Sequence, residues 1–397
     1  MSGLNFFINK SIEKIAHNFF NRIKIGELVV TFPYGNKYVY SGALNGLHAE
    51  IKLNNFSLIY KIFKKKSLGF AESYMDGDFH SKNLSNLLVL AQQNEEFFLS
   101  KIETNICYSL ISKLKHYLKE NTVSKSKKNI SYHYDLGNDF YKLWLDESMT
   151  YSSGLFDSSY KDLAKAQNKK FQEIIELLKL NEKSSLLEIG CGWGGFSRFV
   201  AKNYGTQINA ITISKSQYDY AVRKNHLEGL NEKIKVHLKD YREINTQYDN
   251  IVSIEMFEAV GKKYWPVFFE KVKNSLKNNG NAVMQVITID DKRASFYQNN
   301  PDFIQQYIFP GGVLPSKNQL YQITSSIGLK FNEYKSFGKS YAETLRLWNN
   351  KFQKSWAEIS QQGFSKRFKR MWEFYFAYCE AGFTLGSTDV SQFTIKK

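Results

Sequence analysis

The stretch "SSLLEIGCGWGGFSRFVAKNY", residues 184–204, decides the fold. An apolar run of strand length leads into the glycine-rich turn "GCGWGG", and a helical pattern follows directly. Further strand segments then alternate with helical patterns: "QINAITIS", "KIKVHLKD", "YDNIVSIEMF" and "NAVMQVITI". Buried strands that alternate with helices form a parallel sheet with helices on both faces. The sequence therefore predicts an α/β fold with a doubly wound, Rossmann-like sheet, whose ligands lie beyond the carboxyl ends of the strands.

The glycine turn indicates the class of ligand. An acid, Glu188, precedes three glycines in the order Gly190, Gly192 and Gly194. This spacing is not the dinucleotide fingerprint, and no phosphate-loop lysine follows. Glycines let the backbone approach a ligand closely, and a carboxylate beside them suits a cationic ligand that carries no phosphate. We therefore predict S-adenosylmethionine binding, with the glycines along its methionine part. A purely structural turn would need no acid there.

The ends of the next two strands supply further candidates for cofactor binding. These candidates follow apolar strand segments, and they are Thr212, Ile213, Gln217, Asp240 and Tyr241. An acid commonly holds the ribose hydroxyls at the second strand; here the amide of Gln217 takes that position. A helix cap formed with Ser214 is the plainer interpretation, and both can hold. Asp240 and Tyr241 are placed near the adenine, whose amino group a carboxylate can accept.

Composition limits the other possibilities. The chain has 397 residues, which suggests two domains, or one large domain with an accessory one. No apolar run reaches the roughly 18 residues that a transmembrane helix needs. The three cysteines are widely spaced, which fits a reducing cytoplasm. The seven histidines never cluster with cysteine at zinc-ligand spacing, so we predict no metal site.

The formal charge of +16 predicts an anionic partner or reflects a general lysine bias. The densest basic segments are Lys64–Lys66 and Lys125–Lys128. An anionic lipid surface and compositional bias are equally good explanations. Nucleic acid is not expected as a partner, since the sequence contains no recognised nucleic-acid module.

The N-terminal part has a different pattern. Residues 1–24 carry apolar side chains at helical spacing, which predicts a helix that packs on its own domain or, alternatively, lies on a membrane. Short strands follow over residues 27–60. We expect a smaller α+β accessory domain over residues 1–120, which faces lipid or mediates dimerisation. A lysine-rich linker spans residues 121–130, and the catalytic domain spans residues 131–397.

Seven motifs together carry a resemblance to a known family: "YDLGNDFYKLWLD", "MTYSSGLF", "LLEIGCGWGGF", "ITISKSQ", "DYR", "IEMFEAVG" and "YIFPGGVLPS". In order and spacing, from about residue 70 to the C-terminus, the sequence resembles the cyclopropane fatty acid synthases. The resemblance implies an S-adenosylmethionine-dependent enzyme with helical substrate-lid insertions. It also implies attack on a cis double bond in a phospholipid acyl chain, at the inner face of the membrane, and a possible homodimer.

The aromatic segment "HYDLGNDFYKLWLDESMTYSSGLF", residues 133–156, gains a role from this resemblance. In the family it covers the cofactor and helps to form the acyl tunnel, where water must be excluded from a reactive sulfonium. Aromatic faces can also stabilise cationic character. Tyr151 and Ser152 match residues that contact the cofactor. Ordinary core packing is the expectation for about half of the aromatic residues.

The reaction needs a base, because the alkene attacks the methyl group and the resulting carbocation must lose a proton to close the ring. The resemblance implies a bound bicarbonate as this base. Glu258 and Tyr341 match two of its pocket residues, and Ser153 stands where the family has a cysteine. Cys379 matches a cysteine in the C-terminal helix that is a weaker catalytic candidate, since a free cysteine is more often a small core residue.

Two departures from the family pattern affect the product. Ala259 and Ile287 stand where the family has histidines, so donors to the anion are lost, and Gln285 or Thr288 could compensate. A weakened pocket could let the cation lose a chain proton, which would give a methyl-branched or methylene product. A lipid-binding scaffold without catalysis and a methyltransferase for a small molecule or nucleic acid are more remote alternatives. The motif "YIFPGGVLPS" disfavours the latter.

Overall fold

We analysed a computed structural model of the chain, which describes residues 12–99, 136–157, 159 and 161–397. The expected linker at 121–130, the basic segment Lys125–Lys128 and the first eleven residues of the N-terminal helical pattern lie outside these ranges. The first residues of the aromatic segment, up to residue 135, also lie outside them.

The N-terminal part combines helices with a small sheet. Residues 12–20 are helical. Four strands then form a sheet in the order β2-β1-β3-β4, with the bounds β1 Ile25–Thr31, β2 Lys37–Ser41, β3 Leu44–Leu53 and β4 Phe79–His80. Strand β1 runs antiparallel to β2 and parallel to β3. The helices of this part are Ser57–Asp76, Leu84–Gln93 and Glu95–Leu99.

The second sheet contains seven strands in the order β10-β11-β9-β8-β5-β6-β7. Their bounds are β5 Ser185–Ile189, β6 Gln207–Thr212, β7 Ile234–Leu238, β8 Tyr248–Ile254, β9 Leu276–Ile289, β10 Lys330–Ser336 and β11 Thr388–Lys396. Strands β5 to β9 pair in parallel, and β11 is antiparallel to both of its neighbours. The predicted doubly wound α/β sheet is confirmed, and the strand order reverses beside β5, where such folds bind ligands.

Helices cover this sheet and extend over its carboxyl edge. Their bounds are Asn138–Lys142, Leu163–Leu178, Gly195–Tyr204, Lys215–Leu227, Trp265–Ser275, Asp291–Asn299, Lys317–Ser326, Gly338–Lys354, Trp356–Gln361 and Lys366–Leu385. Local sequence fixes several of their starts: the Asp162 side chain accepts from Lys165 N–H, and Ser316 forms a capping box with Gln319. Within the described ranges, every helix is too short or too polar to cross a bilayer.

The N-terminal part packs on the last helix. Tyr74 donates to a Glu373 carboxylate oxygen over 2.8 Å, and Ser85 donates to Glu380 over 2.6 Å. One apolar cluster runs from Ala16 through the aromatic segment to Val390. The proposed division between an accessory and a catalytic domain therefore crosses a shared core, and it stays a prediction.

Most of the aromatic segment belongs to this core. Phe140, Tyr141 and Trp144 are fully buried, and Trp144 packs against Trp348 and Phe376, among other rings. The structure contains a large cavity beyond the carboxyl ends of the strands. Of the described aromatic residues of the segment, Tyr151 is the one that lines it. The segment therefore acts mainly as the support of the cavity wall, and core packing accounts for more of its rings than the sequence suggested.

Candidate active site

A cavity of about 1070 Å³ lies beyond the carboxyl ends of the strands. Gly190 follows β5, Ile213 follows β6, Glu255 follows β8, and Ile287 lies near the end of β9; all four line it. The same cavity continues past the motif "YIFPGGVLPS" to the N-terminal helices. One space therefore connects the glycine turn with a second, more distant region of the protein.

The glycine turn forms one wall through its backbone. Gly190 and Gly192 have φ angles of +81° and +53°, which favour glycine. A Cβ atom at Gly190 would lie 2.4 Å from the Met256 side chain, whereas a Cβ atom at Gly192 would meet no atom within 4 Å. Gly192 thus faces the open cavity. Gly194 does not line the cavity; it precedes the helix Gly195–Tyr204, and its φ of +81° sets the start of that helix.

Glu188 brings a buried carboxyl group to the turn. It accepts a hydrogen bond from the Ser197 hydroxyl, and it lines the cavity. Burial raises its pKa to about 7, although the Ser197 hydroxyl and the Arg198 guanidinium oppose that rise. A cationic group beside Glu188 would favour the ionised form, so this site is suited to an ammonium-bearing ligand.

The second and third strands present the other predicted cofactor residues. The Thr212 hydroxyl donates to the Gln217 amide oxygen over 2.9 Å, which leaves the amide NH₂ as the donor toward a ligand. The Ser214 side chain also accepts from Gln217 N–H, so the helix cap exists beside any ligand role. Thr212, Ile213 and Gln217 line the cavity.

Asp240 and Tyr241 also line the cavity, but the Asp240 carboxylate already has a partner. Arg242 donates to both of its oxygens, over 2.8 and 2.7 Å. The Tyr241 ring packs against Phe268 and under the Arg242 guanidinium. This pair forms a flat, partly charged surface at the end of β7.

Lys170 is a buried cation that sequence reasoning missed. Its ammonium donates to the Ser152 hydroxyl over 2.7 Å and to the Gln167 amide oxygen over 2.6 Å. Burial lowers its pKa to about 8, while Glu255, Asp146 and Glu188 favour its charged form. Lysine in the middle of an amphipathic helix resembles a solvent-facing residue, so nothing in the sequence distinguished it. Tyr151, beside Ser152, donates to the Tyr375 hydroxyl over 2.9 Å.

Glu255, the first residue after β8, was also missed. Its Oε1 accepts from Ser153 N–H over 2.9 Å and from the Gln285 amide over 2.7 Å. Its Oε2 accepts from the Tyr341 hydroxyl over 2.6 Å. Burial raises the pKa of Glu255, and the Lys170 charge opposes that rise. A second acid at the carboxyl edge, three residues before Glu258, was the available signal.

Glu258 and Tyr341 both line the cavity, but each has a different hydrogen-bond partner. The Tyr341 hydroxyl contacts Glu255, whereas Glu258 Oε1 accepts from Ile287 N–H over 2.5 Å. Its Oε2 is buried and has no hydrogen-bond partner within the described part of the chain. Burial, and then the Glu255 charge, raise the pKa of Glu258 to about 8. At neutral pH Glu258 therefore carries a proton for most of the time.

Ser153 and Cys379 differ in how they meet the cavity. The Ser153 hydroxyl donates to Gly154 O over 2.8 Å, and this side chain does not line the cavity. Its backbone N–H is the group that reaches Glu255. Cys379 lines the cavity, and burial raises the pKa of its thiol, so it stays protonated. A thiolate is therefore not available at Cys379.

The two positions without histidine offer no side-chain donor. Ala259 and Ile287 line the cavity with apolar groups. Of the two suggested substitutes, Gln285 donates to Glu255, while Thr288 is buried and does not line the cavity. Across the described ranges no group of three or more His, Cys, Asp or Glu side chains could hold a metal ion.

The region of the cavity away from the glycine turn is apolar, and we call it the apolar arm. Its charged entrance is called the mouth. Apolar side chains from several elements line the arm, including Ile304, Phe309, Val313, Leu345 and Phe383. The loop that carries Val313 is held in place because Val313 N–H donates to Glu258 O over 2.9 Å. At the mouth lie basic side chains, two acids and one exposed ring: Lys64, Lys65, Lys66, Lys292, Arg293, Glu95, Glu96 and Phe296.

Sequence comparisons give relatives over most of the chain. Residues 121–393 match the family model described as mycolic acid cyclopropane synthetase. The chain is 34% identical over 359 residues to the tuberculostearic acid methyltransferase of Mycobacterium tuberculosis, which covers 85% of this chain and 81% of that protein. It is also 34% identical over 354 residues to the cyclopropane-fatty-acyl-phospholipid synthase of Escherichia coli, with 86% of both chains covered.

Solved structures agree with these relatives. The crystal structure of a mycolic acid cyclopropane synthase complexed with SAH and CTAB is similar with a TM-score of 0.64 and 28% identity, over 68% of this chain and 98% of that one. The cyclopropane synthase structure from Mycobacterium tuberculosis gives the same TM-score, identity and coverage. The likeness extends over nearly the whole length of those enzymes.

Proposed function

Because the chain belongs to the mycolic acid cyclopropane synthetase family and is an S-adenosylmethionine-dependent methyltransferase, we propose that it acts on the cis double bond of unsaturated phospholipid acyl chains. In this proposal the methyl carbon of the cofactor is transferred to the alkene, and loss of a proton closes a cyclopropane ring. The observation that carries the proposal is the single cavity that connects the glycine turn to an apolar arm with a basic mouth.

The polar end of the cavity suits S-adenosylmethionine. The Gly192 backbone offers close approach, Glu188 offers an acceptor for the ammonium group, and the Gln217 amide offers a donor to ribose. Asp240 would meet the adenine amino group through oxygens that Arg242 already binds, since a carboxylate oxygen can accept more than one hydrogen bond. We place Tyr151 and Ser152, which both line the cavity, beside the sulfonium.

The apolar arm suits an acyl chain. Ile304, Phe309 and Val313 present hydrocarbon to the cavity, which excludes water from a carbocation and from the sulfonium. The aromatic faces of Tyr151 and Phe309, whose centroids are 6.3 Å apart, can stabilise cationic character along the chain. A substrate with a polar body would leave its hydrogen-bonding groups unsatisfied in this arm.

The mouth suits a lipid head group. Five basic side chains and two acids line it, so it carries a positive excess that favours a phosphate. Phe296 is 71% exposed there, and an exposed ring can enter the boundary between head groups and acyl chains. We therefore propose that the enzyme binds peripherally to an anionic membrane surface on the cytoplasmic side, with the mouth toward the lipid.

A second product is favoured by the pocket itself. The hydroxyl of Ser153 turns away from the cavity, and Ala259 and Ile287 bring no donor to it. A base held in this altered setting could remove the chain proton at the methylated carbon, which gives a methyl-branched alkene. If that hydrogen first shifts as hydride to the cationic carbon, loss of a proton from the new methyl group gives a methylene product instead. The second candidate is therefore a C-methyltransferase that gives a methyl-branched or methylene acyl product.

The proposal is tested by expressing the chain in a bacterial host that makes unsaturated phospholipids and lacks this enzyme activity. Mass spectrometry of the released fatty acids should show acyl chains with one added carbon. Proton NMR of the same acids distinguishes ring methylene protons from branched methyl or vinylic methylene protons. Unchanged acyl chains, with the protein present in folded form, would contradict the proposal.

A further inference from the structure

We propose that the Glu255 carboxylate is itself the base of the reaction and fills the place of a free anion. The inference rests on the proposed function, because it assigns the proton-accepting group of that same site. Glu255 follows β8 directly, lines the cavity together with Met256 and Gly190, and accepts from Ser153 N–H, next to Ser152. It is therefore close to the position proposed for the sulfonium.

The donors around Glu255 form an anion-binding set. A backbone N–H from Ser153, an amide from Gln285 and the Tyr341 hydroxyl converge on its two oxygens within 2.6 to 2.9 Å. These groups come from three distant segments of the chain. A free bicarbonate would need such donors, and here they are already used by a covalently attached carboxylate. A second anion beside it would add like-charge repulsion at short range.

The backbone at Glu255 supports the same conclusion. Its φ is +49°, in the left-handed region that glycine adopts at little cost. Such strain at a non-glycine residue persists where the surroundings determine it, and it is frequent at functional sites. The strained turn directs the carboxylate into the donor set. A residue without function here would be less costly as glycine.

The neighbouring charges allow Glu255 to act as a base. Burial raises the pKa of the Glu255 carboxyl, and the buried Lys170 ammonium opposes that rise and favours the ionised form. Glu258, the nearest acid, holds its proton at neutral pH, so the two groups need not both be charged. Tyr341 keeps its proton as well, since burial and the Glu255 charge raise its pKa well above the usual value. Among Glu255, Glu258 and Tyr341, Glu255 is thus the group that can accept a proton.

The step balances without another reactant. The alkene π electrons form a bond to the methyl carbon while the carbon–sulfur bond breaks, which releases S-adenosylhomocysteine and leaves a carbocation. Glu255 Oε2, which accepts the Tyr341 hydrogen bond in the structure, then takes a proton from the transferred methyl group. The electrons of that C–H bond close the ring, or form a double bond in the alternative product. The proton passes to solvent after product release.

The test measures methyl transfer to vesicles of an unsaturated phosphatidylglycerol in carbon-dioxide-free buffer, with and without added bicarbonate. Wild type should turn over equally in both. Glu255→Gln should lose about a hundredfold or more, because base catalysis is typically worth that much, with cofactor affinity unchanged. Glu255→Gly removes the carboxylate and relieves the φ strain, so it should fold, lose turnover, and regain part of it with added bicarbonate or formate.

The exposed Glu232→Gln variant serves as the control and should match wild type. Wild-type turnover that falls when bicarbonate is removed would overturn the inference, and so would a Glu255→Gln variant with wild-type turnover. A Glu255→Gly variant that neither anion rescues would also contradict it. If wild type transfers no methyl carbon to lipid under either condition, the proposed function itself fails, which is a distinct result.

Discussion

The Tyr341 hydroxyl donates a 2.6 Å hydrogen bond to the Glu255 carboxylate across 86 residues of sequence. This bond joins the helix Gly338–Lys354 to the turn after β8, and both residues line the cavity. Through this bond, the helix Gly338–Lys354 directly contacts the residue proposed as the base. The proposed chemistry therefore depends on the approach of two segments that the chain brings together only in the folded state.

Removing this hydroxyl should weaken catalysis more than binding. Tyr341→Phe deletes one donor to a charged acceptor, a bond worth about 1.5–3 kcal/mol, so turnover should fall by about ten- to hundredfold. The cofactor dissociation constant, measured by calorimetry, should stay within error. Tyr334→Phe, at an exposed position of β10, provides the matched control and should retain full turnover. Equal turnover in both variants would show that the Tyr341 hydroxyl does not contribute to the reaction.

A matched pair of glycine variants tests whether the glycine turn binds the methionine part of the cofactor. Gly192 and Gly229 both have positive φ angles, +53° and +66°, and a Cβ atom at either would meet no atom within 4 Å. Gly192→Val and Gly229→Val should therefore lose similar thermal stability. Gly192→Val alone should abolish S-adenosylmethionine binding, because its side chain enters the cavity. Wild-type affinity in Gly192→Val would refute the placement of the methionine part.

Glu188 should make cofactor binding depend on pH. Burial raises its pKa to about 7, whereas a bound ammonium group would favour its ionised form. Affinity should therefore rise from pH 6 to about pH 8 and then level off. Glu188→Gln should bind more weakly and lose this pH dependence. A wild-type affinity that is flat through this range would show that Glu188 does not meet the cofactor's charge.

The same group has an opposite effect on the stability of the unliganded protein. Its folded pKa is above its ordinary value, so the folded state retains this proton more strongly than the unfolded state does. Between about pH 4.5 and pH 7 its contribution to stability should decrease as pH rises. Denaturant unfolding of wild type and Glu188→Gln across this interval measures the difference. If the contribution of Glu188 to stability increased with pH over this interval, its pKa would not be raised in the folded state.

The basic mouth should control membrane binding. Lys64→Glu and Lys292→Glu each reverse an exposed charge at the mouth, and each lost lysine should cost about 1 kcal/mol, or roughly fivefold in affinity for anionic vesicles. Binding should also weaken with added salt. Lys183→Glu, exposed just before β5 at the opposite edge of the sheet, makes the same charge change away from the mouth. Equal losses in all three variants would mean that only net charge matters.

The sequence predicted the sheet because its signals are local. Apolar strand segments, the turn after Glu188 and the cap at Ser214 each lie within a few neighbouring residues. The resemblance to the cyclopropane fatty acid synthases is confirmed by the family model and the relatives. Nine positions from Glu188 to Tyr241 were expected at the cofactor; eight of them line the cavity, and Gly194 does not.

The catalytic end could not be predicted from local signals in the same way. Glu255 acquires its partners from Ser153, Gln285 and Tyr341, and its side-chain direction depends on a strained φ. Lys170 is fully buried by the packing of its helix. Each of these properties depends on chain segments that are far apart in sequence.

The most direct test of the central claim follows the methyl group itself. Purified enzyme is incubated with S-adenosylmethionine that carries a fully deuterated methyl group and with vesicles of a cis-unsaturated phospholipid, and the released fatty acids are analysed by mass spectrometry and NMR. We predict one added carbon at the former double bond that retains two of its three deuterons, because the base removes the third. No reaction should occur with vesicles of a saturated phospholipid. An absence of deuterium in the acyl chains, with cofactor binding intact, would contradict the account.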